Sequence, residues 1–481
     1  MILKDENFEL NITSEIGTLR SVLIHSPDKG LGRVVPSKAQ DWLFEDIVHL
    51  KTVREKEYDF YVKILMHFLD SQRVKGNIAS IDSEEQNRKF YKPHHSGFHS
   101  SLKVIELEVL LADILEIEII KKKLVASVCA IEGCTYQFQQ QLIDTPPVEL
   151  AKIFISGSLN EGPMLFSPIP NLIFTRDLGI IINNHILLNK PAKKARNRET
   201  LLTKYIFYNH PIFKNYVNNI LEIPNSVQQF LRPGEDNTDK TTLEGGDVMM
   251  VSKNHLLIGC SERTSPNGVN EAIKLLFDNN VVSKVSVIKI PPRRDFMHID
   301  TIFTQVKRNM WVLLGTISNP TKPNKSEPLY HLTDTNSKDK PEILQFIKDR
   351  KKPNRFDTIE DLLNDVSRND LKSEEETQFI YSGNNEFPYD AREQWTDSCN
   401  LLALKEGVVL GYDRNDKTVE AFQKAGFTII CAAEIIDKLE RGELCIDEIE
   451  NTLIIMPSAE LSRARGGFHC MSMPLFRSDL N

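Results

Sequence analysis

Short apolar segments alternate with amphipathic stretches along most of the chain. Residues 407–413 form an apolar run with a polar end, which predicts a buried strand. Residues 418–425 carry apolar side chains at helical spacing, and Gly426 then supplies a C-terminal stop. The same order predicts further strands and helices, namely strands over 427–432, 256–259 and 284–290 and a helix over 270–277.

Two further segments, 19–26 and 184–188, predict the first strands of similar units. Strand–helix–strand modules separated by polar loops are typical of α/β architecture. We therefore expect one α/β catalytic domain over residues 1–481, with repetition of the modules as a hypothesis.

Two segments interrupt this rhythm. Residues 36–160 predict an inserted, mostly helical subdomain, in which four apolar residues at helical spacing place a helix early: Trp42, Leu43, Ile47 and Leu50. Residues 318–386 are rich in Lys, Asp, Asn and Pro and predict a charged surface insertion with a short helix or two around 341–366.

Composition narrows the function classes. The 481 residues are 41% hydrophobic and 26% charged, with a formal charge of −8, as in an ordinary globular protein. The acidic balance gives no reason to expect nucleic acid or an anionic membrane as partner. We find no signal-peptide core or uninterrupted apolar span, and seven scattered cysteines without a CxxC pair indicate reduced thiols. We expect a cytoplasmic protein; a homo-oligomer stays open.

Four polar stretches lie where a strand is predicted to end: 170–177, 243–248, 297–301 and 463–474. Taken singly, Asp177 and Asp300 suit solvated or capping roles, and Cys470 suits core packing. A cysteine nucleophile, however, needs a base or nearby cation, and that base needs an acidic orienting partner. Cys470, His298 and Glu244 supply these three residue types.

The remaining polar residues suggest a ligand with two charged ends. Two carboxylates, Asp177 and Asp300, suit a planar guanidinium cation. An anionic group at the other end suits a set of arginines, which comprises Arg196, Arg263, Arg463 and Arg465. The inferred ligand is free arginine or something close to it, provided that these residues meet in space.

Several of these stretches, in matching order from about residue 14 to 477, resemble the arginine deiminase family of the guanidino-group-modifying (amidinotransferase) superfamily. The matching stretches are SEIGTLRSVLIHSP (14–27), NLIFTRD (171–177), ARNRETLL (195–202), EGGDV (244–248), SERTS (261–265), HIDTIFTQV (298–306), REQW (392–395) and SRARGGFHCMSMPL (462–475). The sequence departs from the family pattern at Leu178-Gly179 and at Ser398-Cys399.

The resemblance implies a fold and a role for each candidate residue. The family fold is an α/β propeller, or fan, of five pseudo-symmetric modules with an inserted helical domain. The implied roles are Cys470 as nucleophile, His298 as general acid/base, Glu244 as its orienting residue, Asp177 and Asp300 as guanidinium clamp, and Asn171, Arg196, Arg263 and Arg465 as substrate-carboxylate and polar contacts.

The implied reaction is hydrolysis of L-arginine to L-citrulline and ammonia through a covalent S-alkylthiouronium on Cys470, without a metal or organic cofactor. The three histidines of residues 92–99 resemble a metal site, but no acidic or cysteine ligand accompanies them, which favours an exposed loop. Two alternatives stay open: an amidinotransferase that passes the amidino group to an amine, and a non-catalytic arginine-binding module.

Overall fold

The computed structural model describes residues 8–39, 41–83, 91, 101–158, 162–224, 240–318 and 341–480. The strands are β1 (Leu19–Ile24), β2 (Val104–Glu106), β3 (Gly179–Ile182), β4 (His185–Leu188), β5 (Ile220–Glu222), β6 (Val248–Ser252), β7 (His255–Cys260), β8 (Lys284–Lys289), β9 (Phe303–Lys307), β10 (Met310–Leu313), β11 (Glu342–Ile347), β12 (Asn354–Phe356), β13 (Gln378–Tyr381), β14 (Leu402–Lys405), β15 (Val408–Tyr412), β16 (Thr428–Cys431), β17 (Thr452–Met456) and β18 (Met473–Arg477).

The helices are α1 (Leu50–Thr52), α2 (Asp59–Asp70), α3 (Ile78–Ile81), α4 (Leu107–Leu115), α5 (Glu118–Glu132), α6 (Tyr136–Asp144), α7 (Pro147–Ser156), α8 (Asn197–Asn209), α9 (Pro266–Asp278), α10 (Gly315–Ser318), α11 (Ile359–Asp365), α12 (Tyr389–Trp395), α13 (Asp416–Lys424) and α14 (Ala432–Arg441). Within the described ranges, no helix is both long and apolar enough to cross a membrane.

The α/β class is confirmed, and so are the predicted module elements. Strands β7, β8, β15 and β16 and helices α9 and α13 lie where the apolar runs and helical spacings predicted them. Strands β7 and β15 are buried along their whole length, because consecutive apolar residues suit a sheet covered on both faces. In β16, by contrast, only Ile430 is buried.

The strands of the described residues form five separate sheets. Their strand orders are β18-β1-β2, β3-β4-β5, β12-β11-β8-β7-β6, β13-β10-β9 and β14-β15-β17-β16. The last strand, β18, pairs antiparallel with the first, β1, so the two ends of the chain share one sheet. The Arg477 guanidinium also donates a 2.7 Å hydrogen bond to the Gly17 carbonyl. The tail that carries Cys470 is therefore anchored rather than frayed.

Helices dominate residues 36–160, but a strand divides them. Strand β2 pairs in parallel with β1. Before β2, α2 packs into the hydrophobic cluster that also contains Leu410 and Ile454, whereas α4, α5 and α7 pack into a second cluster around β3 and β4. The segment thus forms two helical groups on either side of β2, and its treatment as one inserted subdomain stays a prediction.

The helical spacing over residues 38–69 predicted a helix that is confirmed from Leu50 to Asp70, but its expected start near Trp42 is wrong. Residues 41–48 form turns and bends, and the helix begins only at Leu50. Leu43 has a backbone φ of 59°, a left-handed conformation that interrupts a helix. The segment instead contributes Leu43 to the wall of the central cavity described below.

Residues 318–386 are described from 341 onward. This part supplies β11, which pairs with β8, and β13, which pairs with β10. Helix α11 buries Leu362 and Leu363 completely, although a helix was expected to lie on the surface there. The reason is that apolar residues occur at every three or four positions between the charged ones. As a domain boundary the range stays a prediction.

Candidate active site

One cavity collects the residues singled out in the sequence. Its lining contains Asn171, Asp177, Arg196, Arg263, His298, Arg465 and Cys470. Glu244 and Asp300 are fully buried and lie directly behind it, in hydrogen-bond contact with His298 and Cys470 respectively. Nine of the ten candidates therefore meet, although they are distributed over 300 residues of sequence. The prediction for Arg463 is wrong, because its side chain is exposed and pairs with Asp46 at 2.8 Å.

The candidates occupy equivalent places in the five sheets. One strand of each sheet follows a short segment that carries polar side chains, and these are Asp177 before β3, Glu244 before β6, His298 and Asp300 before β9, Asn400 before β14, and Cys470 before β18. The sequence had suggested that the polar stretches follow strands. They precede them instead, because short 3₁₀ turns beside Asp177, Glu244 and Asp300 lead directly into β3, β6 and β9.

Cys470 is buried, and its Sγ lies 3.3 Å from Oδ2 of Asp300. Burial, together with the nearby charges of Asp300 and Asp177, raises the pKa of the Cys470 thiol well above its usual value. Oδ1 of Asp300 is buried and has no hydrogen-bond partner among the described residues. The site thus holds a neutral thiol beside a carboxylate oxygen that is open to a cationic donor.

His298 is buried between two carboxylates. Its Nε2 lies 3.2 Å from Oε2 of Glu244, and its Nδ1 lies 3.9 Å from Oδ1 of Asp177. Burial opposes the imidazolium charge, but Asp177 and Glu244 outweigh it and raise the pKa of His298 to about 9. His298 is therefore an imidazolium near neutral pH and can donate a proton.

Asp177 is held in place before any ligand enters. Its Oδ2 accepts a 2.7 Å hydrogen bond from Nη1 of Arg196, and its Oδ1 accepts one from the Gly246 amide at 3.2 Å. Arg196 also contacts Glu199 at 2.8 Å and Glu244 at 3.4 Å. Only its Nη2 has no hydrogen-bond partner in the described ranges. Arg196 thus holds these carboxylates in place, and only its Nη2 is left to donate a hydrogen bond to a ligand.

The other end of the cavity contains several hydrogen-bond donors that have no acceptor among the described residues. Arg465 is buried, and none of its three guanidinium nitrogens makes a hydrogen bond to another described residue. Nε of the buried Arg263 is also without a hydrogen-bond partner in the described chain. Asn171 donates its side-chain amide to the Trp42 carbonyl at 2.6 Å. Buried donors in this state fit an anionic group.

Two residues that lock Cys470 were not selected from the sequence. Asn400 accepts the Cys470 amide proton through Oδ1 at 3.0 Å and donates to the Asp300 carbonyl at 3.1 Å. His469 bridges Oδ2 of Asp300, at 2.9 Å, and Oε2 of Glu15, at 3.2 Å. The only sequence signals were the position of His469 beside the cysteine and the places of Glu15 and Asn400 within or next to matching motifs.

A glycine allows close contact at two of these turns. A Cβ on Gly246 would lie 2.4 Å from Nδ1 of His298, and one on Gly466 would lie 2.3 Å from the Phe174 ring. Larger residues would push the imidazole or the loop of Arg465 out of position. The two glycine pairs of the sequence therefore serve close packing at the site.

Three ligand-type side chains are close enough together to hold a metal ion, namely Asp177, Glu244 and His298. Arg196 already contacts both carboxylates, and the raised pKa of His298 keeps its imidazole protonated. The positive charge that a metal would supply is thus provided by side chains. The histidines of residues 92–99 lie outside the described residues.

An α/β chain that gathers a thiol, an imidazolium and carboxylates in one closed cavity has the make-up of an enzyme of the guanidino-group-modifying superfamily. The chain belongs to the arginine deiminase family, whose sequence profile matches residues 139–477. Enzymes of this family are hydrolases of C–N bonds in linear amidines, so that enzyme class is confirmed.

Full-length relatives support the assignment. The chain is 31% identical to the arginine deiminase of Clostridium perfringens over 478 residues, which cover 98% of both chains. It is 29% identical to that of Treponema denticola, covering 98% of this chain and 99% of the relative.

Solved structures give weaker matches. The amidinotransferase SxtG of the saxitoxin pathway, from Microseira wollei, aligns over 98% of both chains with 12% identity and a TM-score of 0.47. The DDAH of Pseudomonas aeruginosa aligns over 64% of this chain and 78% of its own with 15% identity and a TM-score of 0.33. The family assignment accordingly rests on the sequence matches.

Proposed function

We propose that this enzyme hydrolyses L-arginine to L-citrulline and ammonia, with Cys470 as the nucleophile. The observation that carries the proposal is the charge layout of the cavity. At the thiol end lies a buried carboxylate oxygen of Asp300 without a partner in the described chain, and at the other end lie the three guanidinium nitrogens of Arg465, none of which hydrogen-bonds a described residue. A ligand with a guanidinium at one end and a carboxylate at the other satisfies both ends.

Substrate binding would itself activate the thiol. The charges of Asp300 and Asp177 contribute to the high pKa of Cys470. A guanidinium bound between these carboxylates offsets their charge, which lowers the thiol pKa, and the thiol proton leaves to solvent as the site fills. The thiolate then attacks the guanidinium carbon and forms a neutral tetrahedral adduct.

His298 would carry the protons of the two half-reactions. As an imidazolium it protonates the departing nitrogen, so that the C–N bond breaks, ammonia leaves and an S-alkylthiouronium remains on Cys470. The neutral imidazole then takes a proton from water as its oxygen attacks the same carbon. Collapse of this second adduct breaks the C–S bond as the hydroxyl proton of the adduct passes to the sulfur, which releases citrulline and restores the neutral thiol of Cys470. Glu244, 3.2 Å from Nε2, would hold the ring throughout.

The experiment that tests this proposal measures products from arginine alone. The expected result is citrulline and ammonia in equal amounts. An amidinotransferase would release ornithine only when an amine acceptor is added, and a binding module would give no product while still retaining arginine in a calorimetric titration. Either of these two outcomes would overturn the proposed function.

We further propose that the five sheets form a pseudo-symmetric α/β propeller. In support, the described strands form five sheets, β18 returns to β1, and one strand of each sheet follows a segment that supplies polar side chains to the site. We also propose a cytoplasmic protein. In support, all seven cysteines, including the exposed Cys431 and Cys445, are free thiols.

A further inference from the structure

An exposed tryptophan covers Arg465, the cavity arginine whose guanidinium makes no hydrogen bond to a described residue. The guanidinium carbon of Arg465 lies 3.6 Å from the centroid of the Trp395 ring. Trp395 is 44% exposed, whereas Arg465 is only 5% exposed. A planar guanidinium at this distance from an indole is in direct face contact, and tryptophan is the ring that attracts cations most strongly.

The protein offers Arg465 little else to fix its orientation. None of its side-chain nitrogens hydrogen-bonds another described residue, and its backbone has a left-handed φ of 61°. Burial lowers the pKa of its guanidinium, although the Asp397 charge works in the opposite direction. Asp397 is itself occupied, since it accepts the Gly466 amide at 2.9 Å. The face contact with the Trp395 ring is thus the close interaction that fixes the direction of the Arg465 guanidinium.

Trp395 belongs to a segment that organises the whole nucleophile loop. It is the last residue of α12, and two residues later Asp397 fixes the turn at Gly466. Asn400 then binds the backbone of Cys470. Residues 395–400 therefore fix the positions of both the Cys470 thiol and Arg465, which lies five residues before Cys470.

We propose that Trp395 is a positioning residue for carboxylate recognition. Its ring holds the Arg465 guanidinium flat and shielded from water, with its donors available to the α-carboxylate of an amino-acid substrate. The proposal rests on the proposed function, because it assigns Trp395 a part in selecting arginine over agmatine, the analogue that lacks the carboxylate. The ring acts through Arg465 and has no role in the bond-breaking steps.

The test compares steady-state kinetics of arginine and agmatine in four proteins: the parent, Trp395→Ala, Trp395→Phe and Tyr389→Ala. Tyr389 is the matched control, because it lies on the same helix, is 42% exposed and contacts Lys417 instead of Arg465. Trp395→Ala should raise KM for arginine about tenfold with little change in kcat, whereas kcat/KM for agmatine should change less than about twofold. Trp395→Phe should restore most of the loss, and Tyr389→Ala should behave as the parent.

Equal losses for both substrates in Trp395→Ala, or no change in KM for arginine, would overturn the proposal. A second measurement is independent of turnover. Citrulline, which carries the carboxylate, should perturb the tryptophan emission of the parent, and this signal should disappear in Trp395→Phe, which retains Trp42 and Trp311.

If arginine yields no product but citrulline still perturbs Trp395, the proposed function fails and the positioning role stands. If arginine is turned over and the emission does not respond to citrulline, the positioning role fails alone. Circular dichroism of Trp395→Ala and Trp395→Phe shows whether each variant is folded, and Trp395→Phe alone suffices for the emission test.

Discussion

The two ends of the cavity differ in how their charged groups are satisfied. At the thiol end the groups are paired with one another: Asp177 with Arg196, His298 with Glu244, and Asp300 with His469. At the carboxylate end, Arg465 makes no hydrogen bond within the described chain. The difference indicates that the protein fixes its reacting groups in advance and leaves recognition of the anionic end to donors that the ligand itself must satisfy.

The largest expected effect on activity comes from a substitution that changes the thiol end of the cavity alone. Cys470→Ser should lower ammonia release from arginine by at least about three orders of magnitude, because a serine hydroxyl is a far weaker nucleophile in this acidic surrounding. Arginine binding, measured by calorimetry, should persist because the carboxylates and arginines remain. Cys431→Ser is the control, since Cys431 is exposed and lies on β16. Residual activity above a few per cent would remove Cys470 from the role of nucleophile.

The carboxylate end is tested by a substrate that lacks the carboxylate. Agmatine should have a kcat/KM at least about thirtyfold below that of arginine, because two buried guanidinium groups each lose a charged contact worth about 1–3 kcal/mol. Arg465→Ala should reduce the ratio of kcat/KM for arginine to kcat/KM for agmatine, because the substitution lowers the value for arginine more than the value for agmatine. Equal rates for the two substrates in the parent would mean that the arginines serve the fold.

The pairing of Asp177 with Arg196 can be broken by one change of charge. Asp177→Asn should lower kcat/KM for arginine roughly tenfold to a hundredfold. The reason is that one charge-assisted contact to the substrate, worth about 1.5–3 kcal/mol, is lost. Asp437→Asn, on the exposed face of α14, is the control and should change nothing. An unaltered kcat/KM in Asp177→Asn would reject the guanidinium clamp.

The smallest expected effect sharpens the role of Glu244. The pKa of His298 is raised to about 9, so kcat/KM of the parent should fall on the alkaline side as the imidazolium deprotonates near that pH. The Glu244 carboxylate is among the causes of this raised pKa, so Glu244→Gln should lower it and move the alkaline limb to lower pH. The full pH profile of kcat/KM measures the shift. If the alkaline limb of Glu244→Gln stays at the same pH as that of the parent, Glu244 does not raise the pKa of His298.

Much of the module pattern could be predicted from the sequence. Apolar runs such as 407–413 predicted β15 correctly, because a strand covered on both faces needs several consecutive apolar residues. The helix expected from Trp42 begins only at Leu50, because helical spacing over a few residues does not exclude a turn, and Leu43 adopts a left-handed conformation there.

The site divides in the same way between what sequence could and could not predict. Cys470, His298 and Glu244 are separated in sequence by 54 to 226 positions, so only matching motifs could suggest that they meet. Glu15 and Asn400 were missed because their importance comes from burial and from contacts across the chain. Asp177 was predicted as free to bind the substrate, whereas the fold already pairs it with Arg196.

The central claim is that the thiol of Cys470 bonds to the guanidinium carbon between the two carboxylates. The most direct test mixes the enzyme with arginine, quenches it in acid within the first turnover and analyses its peptides by mass spectrometry. The account predicts a mass increase equal to arginine minus ammonia on the peptide that contains Cys470, which is absent from Cys470→Ser. Citrulline formation by the parent with no such adduct at any quench time, in a reaction slow enough to sample, would contradict it.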